Sequence, residues 1–176
     1  MSTSVSGFLM QNFSIVSLLV AGFAFYKWHV SQMQREVEFL HTLIRRLRNS
    51  ATSEILQLLE YGEEWYRVDF HGGDLEKKVD MLLMECTYLC HLQRTRMITR
   101  KTFQFFKYDL SVVLSNHDML NYLYNLYHYS QSARKEFPFI HLIEYGFQKK
   151  LIDKDVFLNP TAWTDERFGL CRYLNF

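Results

Sequence analysis

The first charged side chain in this chain is Lys27, and the stretch ahead of it, from Phe8 to Tyr26, carries no charge and is nearly all apolar. At about 1.5 Å per helical residue that stretch spans about 28 Å, close to the roughly 30 Å hydrocarbon core of a bilayer. The sequence therefore predicts one transmembrane helix within an N-terminal segment, residues 1–28. Met1 to Ser6 has no basic side chain, unlike the start of a secretory signal, so the segment is expected to remain uncleaved. Lys27, Arg35, Arg45, Arg46 and Arg48 all follow the apolar run, and the basic flank of a span stays in the cytoplasm. The expected orientation puts the N-terminus outside and residues 29–176 inside the cell.

Those remaining residues suit one cytosolic domain. The whole chain is 22% charged with a net charge of +1, seven Gly and two Pro, and no low-complexity tract or repeat interrupts it. Cys86, Cys90 and Cys171 make an odd count in a compartment where thiols stay reduced, so no disulfide is expected.

One register of apolar residues continues past the apolar stretch through Val30, Met33, Val37, Leu40, Ile44 and Leu47, with gaps of three and four and largely polar residues between. It predicts a helix of about 40 residues with a seam. The seam suits packing against the chain's own domain or self-association, and the pattern fits both. Inside the predicted span Gln11, Ser14, Ser17, Ala21 and Ala24 fall on one stripe, opposite Val16, Leu19 and Phe23. Small and polar residues let helices approach in lipid or face water, which makes the stripe a candidate helix contact or pore lining.

Beyond Asn49 the pattern stays helical: Ile55 to Trp65, then Leu75 to Cys90 after a turn at Gly72 and Gly73, with Asp74 placed to cap the second helix. Thr102 to Leu114 and Asp118 to Ser132 read as two more helices, separated by Ser115, Asn116 and His117. Pro138 suits the first turn of a last helix reaching about Lys150. No run alternates like a strand, and the fold class is all-α: one transmembrane helix continuing into a helical bundle. Phe103, Phe105, Phe106, Tyr122, Tyr127 and Tyr129 read as core before they read as a binding box. The tail with Trp163, Phe168 and Tyr173 is expected to fold back on that core.

Familiar catalytic strings are missing: there is no phosphate-binding Gly loop, no H-E-x-x-H and no nucleophile elbow. Cys86, Cys90 and His91 lack a second ligand pair at zinc spacing, so neither a metal nor a cofactor is expected. Arg94, Arg96, Arg100 and Lys101 form a basic cluster that reads as a solvated helix end, with an RNA or anionic-lipid contact as the sharper alternative.

Two Arg and His pairs remain, Arg35 with His41 and Arg134 with His141, separated by five and six residues. An all-α domain with such a pair resembles the HEPN ribonucleases. The resemblance implies a dimer-interface site in which His protonates the leaving 5′ oxygen and Arg steadies the phosphorane charge. Here Glu36 follows Arg35 and Lys135 follows Arg134, a departure from the family pattern, so the chain is not expected to be an enzyme. Size, a single N-terminal span, an all-α body and these pairs together resemble, over the whole chain, the small membrane accessory protein of type VI-B CRISPR systems. That resemblance implies a homo-oligomeric ring, an octamer, in the bacterial inner membrane. Its pore would depolarise or slow an infected cell once a partner, an RNA-guided ribonuclease, has detected phage RNA. The alternative is a membrane-anchored HEPN-type ribonuclease using Arg134 and His141.

Overall fold

A computed structural model describes residues 4–62, 64–67 and 69–172, with side chains from 20 onward and at Ser17. It is all-helical, and no strand occurs among the described residues. Among the described residues the helices are α1 (Ser4–Leu47), α2 (Ser50–Tyr61), α3 (Asp74–Arg94), α4 (Arg100–Gln104), α5 (Lys107–Ser115), α6 (His117–Ser132), α7 (Ile140–Lys149) and α8 (Lys154–Leu158), followed by 3-10 turns at Ala162–Thr164 and Glu166–Phe168. The chain divides into two units, Met1–Ile44 and Arg45–Phe176, a boundary well beyond the residue 28 expected from the end of the apolar stretch.

The first unit holds α1 up to Ile44, most of the long helix that the apolar register predicts. Among the described residues no helix is long and apolar enough to cross a membrane. The single crossing expected from Phe8 to Tyr26 is thus not found among them: the portion they include with its side chains, from Val20 on, is too short by itself. Val20, Phe23, Phe25, Tyr26, Trp28, Met33 and Val37 are all exposed.

The second unit is built on α3, which packs against α2 and α7, while α5 packs against α2 and α6. Val79, Leu82, Leu83, Cys86, Leu89 and Cys90, at the three- and four-residue steps read from the sequence, are all at most 2% exposed. Each Leu of that kind withdraws enough apolar area from water to contribute about 1.5–3 kcal/mol. Leu47, the last seam position, belongs to this core at 1% exposed; it is occupied within the domain and unavailable to a partner. The same junction satisfies the last carbonyls of α1: Thr52 Oγ1 donates to Leu47 O at 2.6 Å and Asn49 Nδ2 to Arg46 O at 2.9 Å. Asn49 Oδ1 meanwhile caps α2 by accepting from Thr52 N.

Several boundaries differ from the sequence reading for local reasons. The second helix stops at Tyr61 because Gly62 takes a left-handed φ of 71°, and Trp65 instead lies buried in the following extended segment, where Asp118 Oδ2 accepts from the backbone N–H groups of Trp65 and Tyr66. Gly73, not Asp74, is the N-cap of α3. Glu76 secures the preceding turn by accepting from Gly72 N and pairing with His71. The expected Thr102–Leu114 helix is two, because three-residue hydrogen bonds from Phe105 N to Thr102 O and from Phe106 N to Phe103 O tighten the chain at Phe105 and Phe106. That turn sends Phe106 inward at 1% exposed and leaves Phe105 outward at 62%. Pro138 sits just ahead of α7, whose N-cap is Phe139. The tail returns at Cys171, where Asn121 Oδ1 accepts from Cys171 N and Asn125 Nδ2 donates to Cys171 O, at 3.0 and 2.6 Å, strapping it to α6, but Trp163 and Phe168, expected on the core, are exposed. Tyr173 lies outside the described residues.

Helices α3, α6 and α7 end alike. Arg96, Arg134 and Lys150 each adopt a positive φ, of 60°, 52° and 57°. The next N–H in each case reaches back to close the helix, Met97 to Leu92 O, Lys135 to Ser130 O and Leu151 to Gly146 O. This is the Schellman ending with a basic residue where glycine is usual. A side chain in the left-handed region costs about 1–2 kcal/mol, and a cation at a helix C-terminus offsets part of that against the helix dipole.

Candidate functional site

A cluster of polar side chains lies where the last turn of α3 meets the first turns of α7. On α3, His91 and Arg94 are three residues apart and share a face, while Leu89, Cys90 and Leu92 face the core. On α7, His141, Glu144, Tyr145 and Gln148 form one stripe, with Leu142, Ile143 and Gly146 buried behind it. A Cβ on Gly146 would stand 2.7 Å from Ile152 Cδ1, so glycine is what lets the chain after α7 fold tightly back on it.

These two stripes meet in a hydrogen-bonded cluster. His91 Nδ1 lies 3.1 Å from His141 Nε2, with ring centroids 4.7 Å apart. Arg94 Nη1 lies 3.2 Å from His141 Nδ1 and is ion-paired to Glu144. Because a guanidinium only donates, His141 Nδ1 must accept. With Nδ1 accepting, Nε2 is the nitrogen of His141 left to donate to His91 Nδ1. Arg94 therefore bridges an imidazole and a carboxylate that lie 3.4 Å apart. Beside the cluster a cavity of about 390 Å³ opens, lined also by Arg96, Arg100, Ile98 and Tyr145.

Cys90 borders the same cavity, but burial pushes its thiol up to about 12, and burial raises Cys86 well above its ordinary value. Neither is a thiolate nucleophile at neutral pH. Burial likewise raises the Tyr145 phenol. Among the described residues no group of three His, Cys, Asp or Glu side chains is placed to hold a metal ion. The arrangement supplies cations and amide groups around a concavity, which suits holding an anion.

The sequence-predicted residues are distributed differently. His141 is in the cluster, but its arginine is Arg94, 47 residues away in sequence, and no hydrogen bond or ion pair among the described residues joins it to Arg134. Arg134 is instead the left-handed residue that ends α6. Arg35 and His41 are both exposed on α1; six residues apart at about 100° each, they point to different sides of the helix. Of the seam, Met33 and Val37 are exposed and Val30, Leu40 and Ile44 half-buried. Of the stripe, Ser17, Ala21 and Ala24 are exposed, while the side chains of Gln11 and Ser14 lie outside the described residues, as do those of Val16 and Leu19. His91 and Arg94 stand in the reverse order of the Arg and His pairs and only three residues apart; that spacing on one helix face was the available signal. No protein-family model, curated protein or solved structure matches the chain.

Proposed function

We propose that this protein is a membrane-anchored, self-associating pore former whose first helix crosses the inner membrane once, N-terminus outward, and whose helical domain stays in the cytoplasm. The observation that carries the reading is the outer surface of α1. Phe23, Phe25, Tyr26, Trp28, Met33 and Val37 are each more than half exposed on a helix continuous with the uncharged stretch from Phe8. A surface of that kind requires lipid or protein around it. Phe25 and Trp28 lie with ring centroids 5.8 Å apart and Lys27 Nζ stands 5.3 Å from the Phe23 ring, the aromatic and basic girdle suited to a membrane–water boundary. Lipid would cover the stretch up to that girdle, and second copies would cover Val30, Met33 and Val37.

The further assignment, an octameric pore working with an RNA-guided CRISPR ribonuclease, rests on the resemblance of architecture. Its first test is the detergent-corrected mass of the purified chain by light scattering. A ring of five or more copies supports it, a monomer leaves a plain anchor, and a dimer favours the HEPN-type ribonuclease, which needs two. In liposomes, Ser14→Asp and Ser17→Asp are expected to change ion flux while insertion persists; unchanged flux in both refutes a pore lined by that stripe. The ribonuclease reading is the weaker of the two, since Arg134 is engaged in ending a helix and His141 is bonded to other partners. Loss of RNA cleavage in Arg134→Ala and His141→Ala would restore it.

A further inference from the structure

The basic residues at the end of α3 do more than decorate a helix end. Arg94, Arg96 and Arg100 line one cavity, and among the described residues the only carboxylate on its wall is Glu144. Three guanidinium groups against one carboxylate leave two positive charges. Arg94 is paired with Glu144, whereas Arg96 and Arg100 form no ion pair among the described residues. All three arginines are exposed, and like charges lining one concavity raise the local potential for an anion. Arg96 holds its place in the left-handed region, where glycine would be less strained. Of the three helix-ending basic residues it is the one that stands on the wall of this cavity.

The surplus and the shape together select the ligand. A phosphate monoester carries about −1.5 to −2 at pH 7, matching two free guanidinium groups, whereas each diester linkage of RNA carries one charge. The volume of about 390 Å³ lies within the range of small-molecule sites, about 300–1,000 Å³, and suits a single ligand over a running strand. Ile98 and Tyr145 provide apolar wall, and the amides of Gln93 and Gln148 provide donors and acceptors for an organic group. We propose that this cavity binds a small organic phosphate monoester of nucleotide size, with Arg96 and Arg100 holding the phosphate and Arg94 available as a third donor once it leaves Glu144. The proposal stands whether or not the chain forms a pore.

The test is calorimetric titration of the full chain in detergent with AMP, adenosine, glycerophosphoglycerol as a lipid-headgroup probe, and a short RNA without terminal phosphates. AMP is expected to bind at least about tenfold more tightly than the other three, the scale of one charge-assisted hydrogen bond. Arg96→Gly removes the cation while easing the backbone, so it tests charge without threatening the fold; it and Arg100→Gln should each weaken AMP binding by about tenfold or more. Lys150→Gly, the same backbone change at the end of α7, should leave binding as it was, and Glu144→Gln should tighten it. Equal affinity for AMP and adenosine, wild-type affinity in Arg96→Gly, or an equal loss in Lys150→Gly overturns the proposal. Tighter binding of RNA makes the cavity a nucleic-acid contact, and tighter binding of glycerophosphoglycerol a lipid contact; either result also overturns it.

Discussion

The two units of this protein hold similar large apolar side chains and treat them in opposite ways. In α1, Phe23, Phe25, Trp28 and Val37 stand exposed along one helix, and between Phe8 and Leu47 the sequence has a single Gly and no Pro to turn it back on itself. In the domain, Leu82, Leu110, Leu114 and Tyr122 are fully or almost fully buried, because turns at Gly62, Gly72 and Asn116 fold short helices over one another. The difference lies less in composition than in punctuation. A domain interrupted by turns supplies its own apolar surroundings, whereas an uninterrupted apolar helix takes them from whatever encloses it.

The sharpest way to break that contrast is to remove one apolar side chain from each unit. Leu82→Ala leaves a cavity at the centre of α3 and is expected to cost the domain about 2–5 kcal/mol, read as a lower denaturation midpoint of the full chain in detergent by tryptophan fluorescence. Val37→Ala should leave that midpoint unchanged, within about 0.5 kcal/mol, and act instead on the mass of the assembly. Equal losses at the two positions would mean that α1 is as much a part of the folding unit as α3.

The same contrast explains how far the sequence could be read. Periodicity located α1, α3 and α6 because apolar residues recur along long uninterrupted runs, and it identified most of the buried face of α3, from Val79 to Cys90, while Leu75 is only half-buried. It joined α4 to α5 because Phe103, Phe105 and Phe106 are equally apolar, and only the tight turn between them decides which ring points inward. The candidate site was legible in pieces: His91 as a neighbour of cysteines, Arg94 as part of a basic run, His141 as half of a motif. Their meeting depends on α3 packing against α7, a contact between residues some 50 apart that no local pattern encodes. Arg134 was legible only as the other half of that motif, and its left-handed place at the end of α6 is set by the backbone there.

Within the domain, the two ends of α6 provide a smaller effect that sharpens the claim that punctuation holds this unit together. At the start, Asn116 Oδ1 accepts from Met119 N at 3.0 Å and Asn116 Nδ2 donates to Leu59 O at 3.3 Å, tying α6 to the end of α2. Asn116→Ala should cost about 1–2 kcal/mol. At the other end, Arg134→Gly exchanges a strained left-handed residue for one that adopts it freely, and it should be neutral or stabilising by up to about 1 kcal/mol. A loss at Arg134 as large as that at Asn116 would assign its side chain an energetic role that the backbone geometry does not supply.

The smallest expected effect is a pH dependence confined to the domain. Burial lowers His128 below its ordinary value, partly countered by the Phe157 carbonyl, which lies 2.9 Å from Nε2. The ring also packs against Tyr124, tilted at 60°, and meets Tyr127 edge-on at 86°. Since the folded value lies below the unfolded one, the unfolded chain takes up a proton first as pH falls. Stability from this group is therefore fully present above about pH 6.5 and is lost as pH drops through that value toward the lower folded one. Asp80 and Asp109 are raised by burial and act with the opposite sign, because their folded forms hold the proton more tightly than the unfolded chain does. The His128 contribution is isolated as the difference between wild type and His128→Gln in denaturation midpoints from about pH 5 to 8. Wild type should lose more stability than the variant on acidification, and parallel curves would mean that water reaches the ring as readily in the fold as in the open chain.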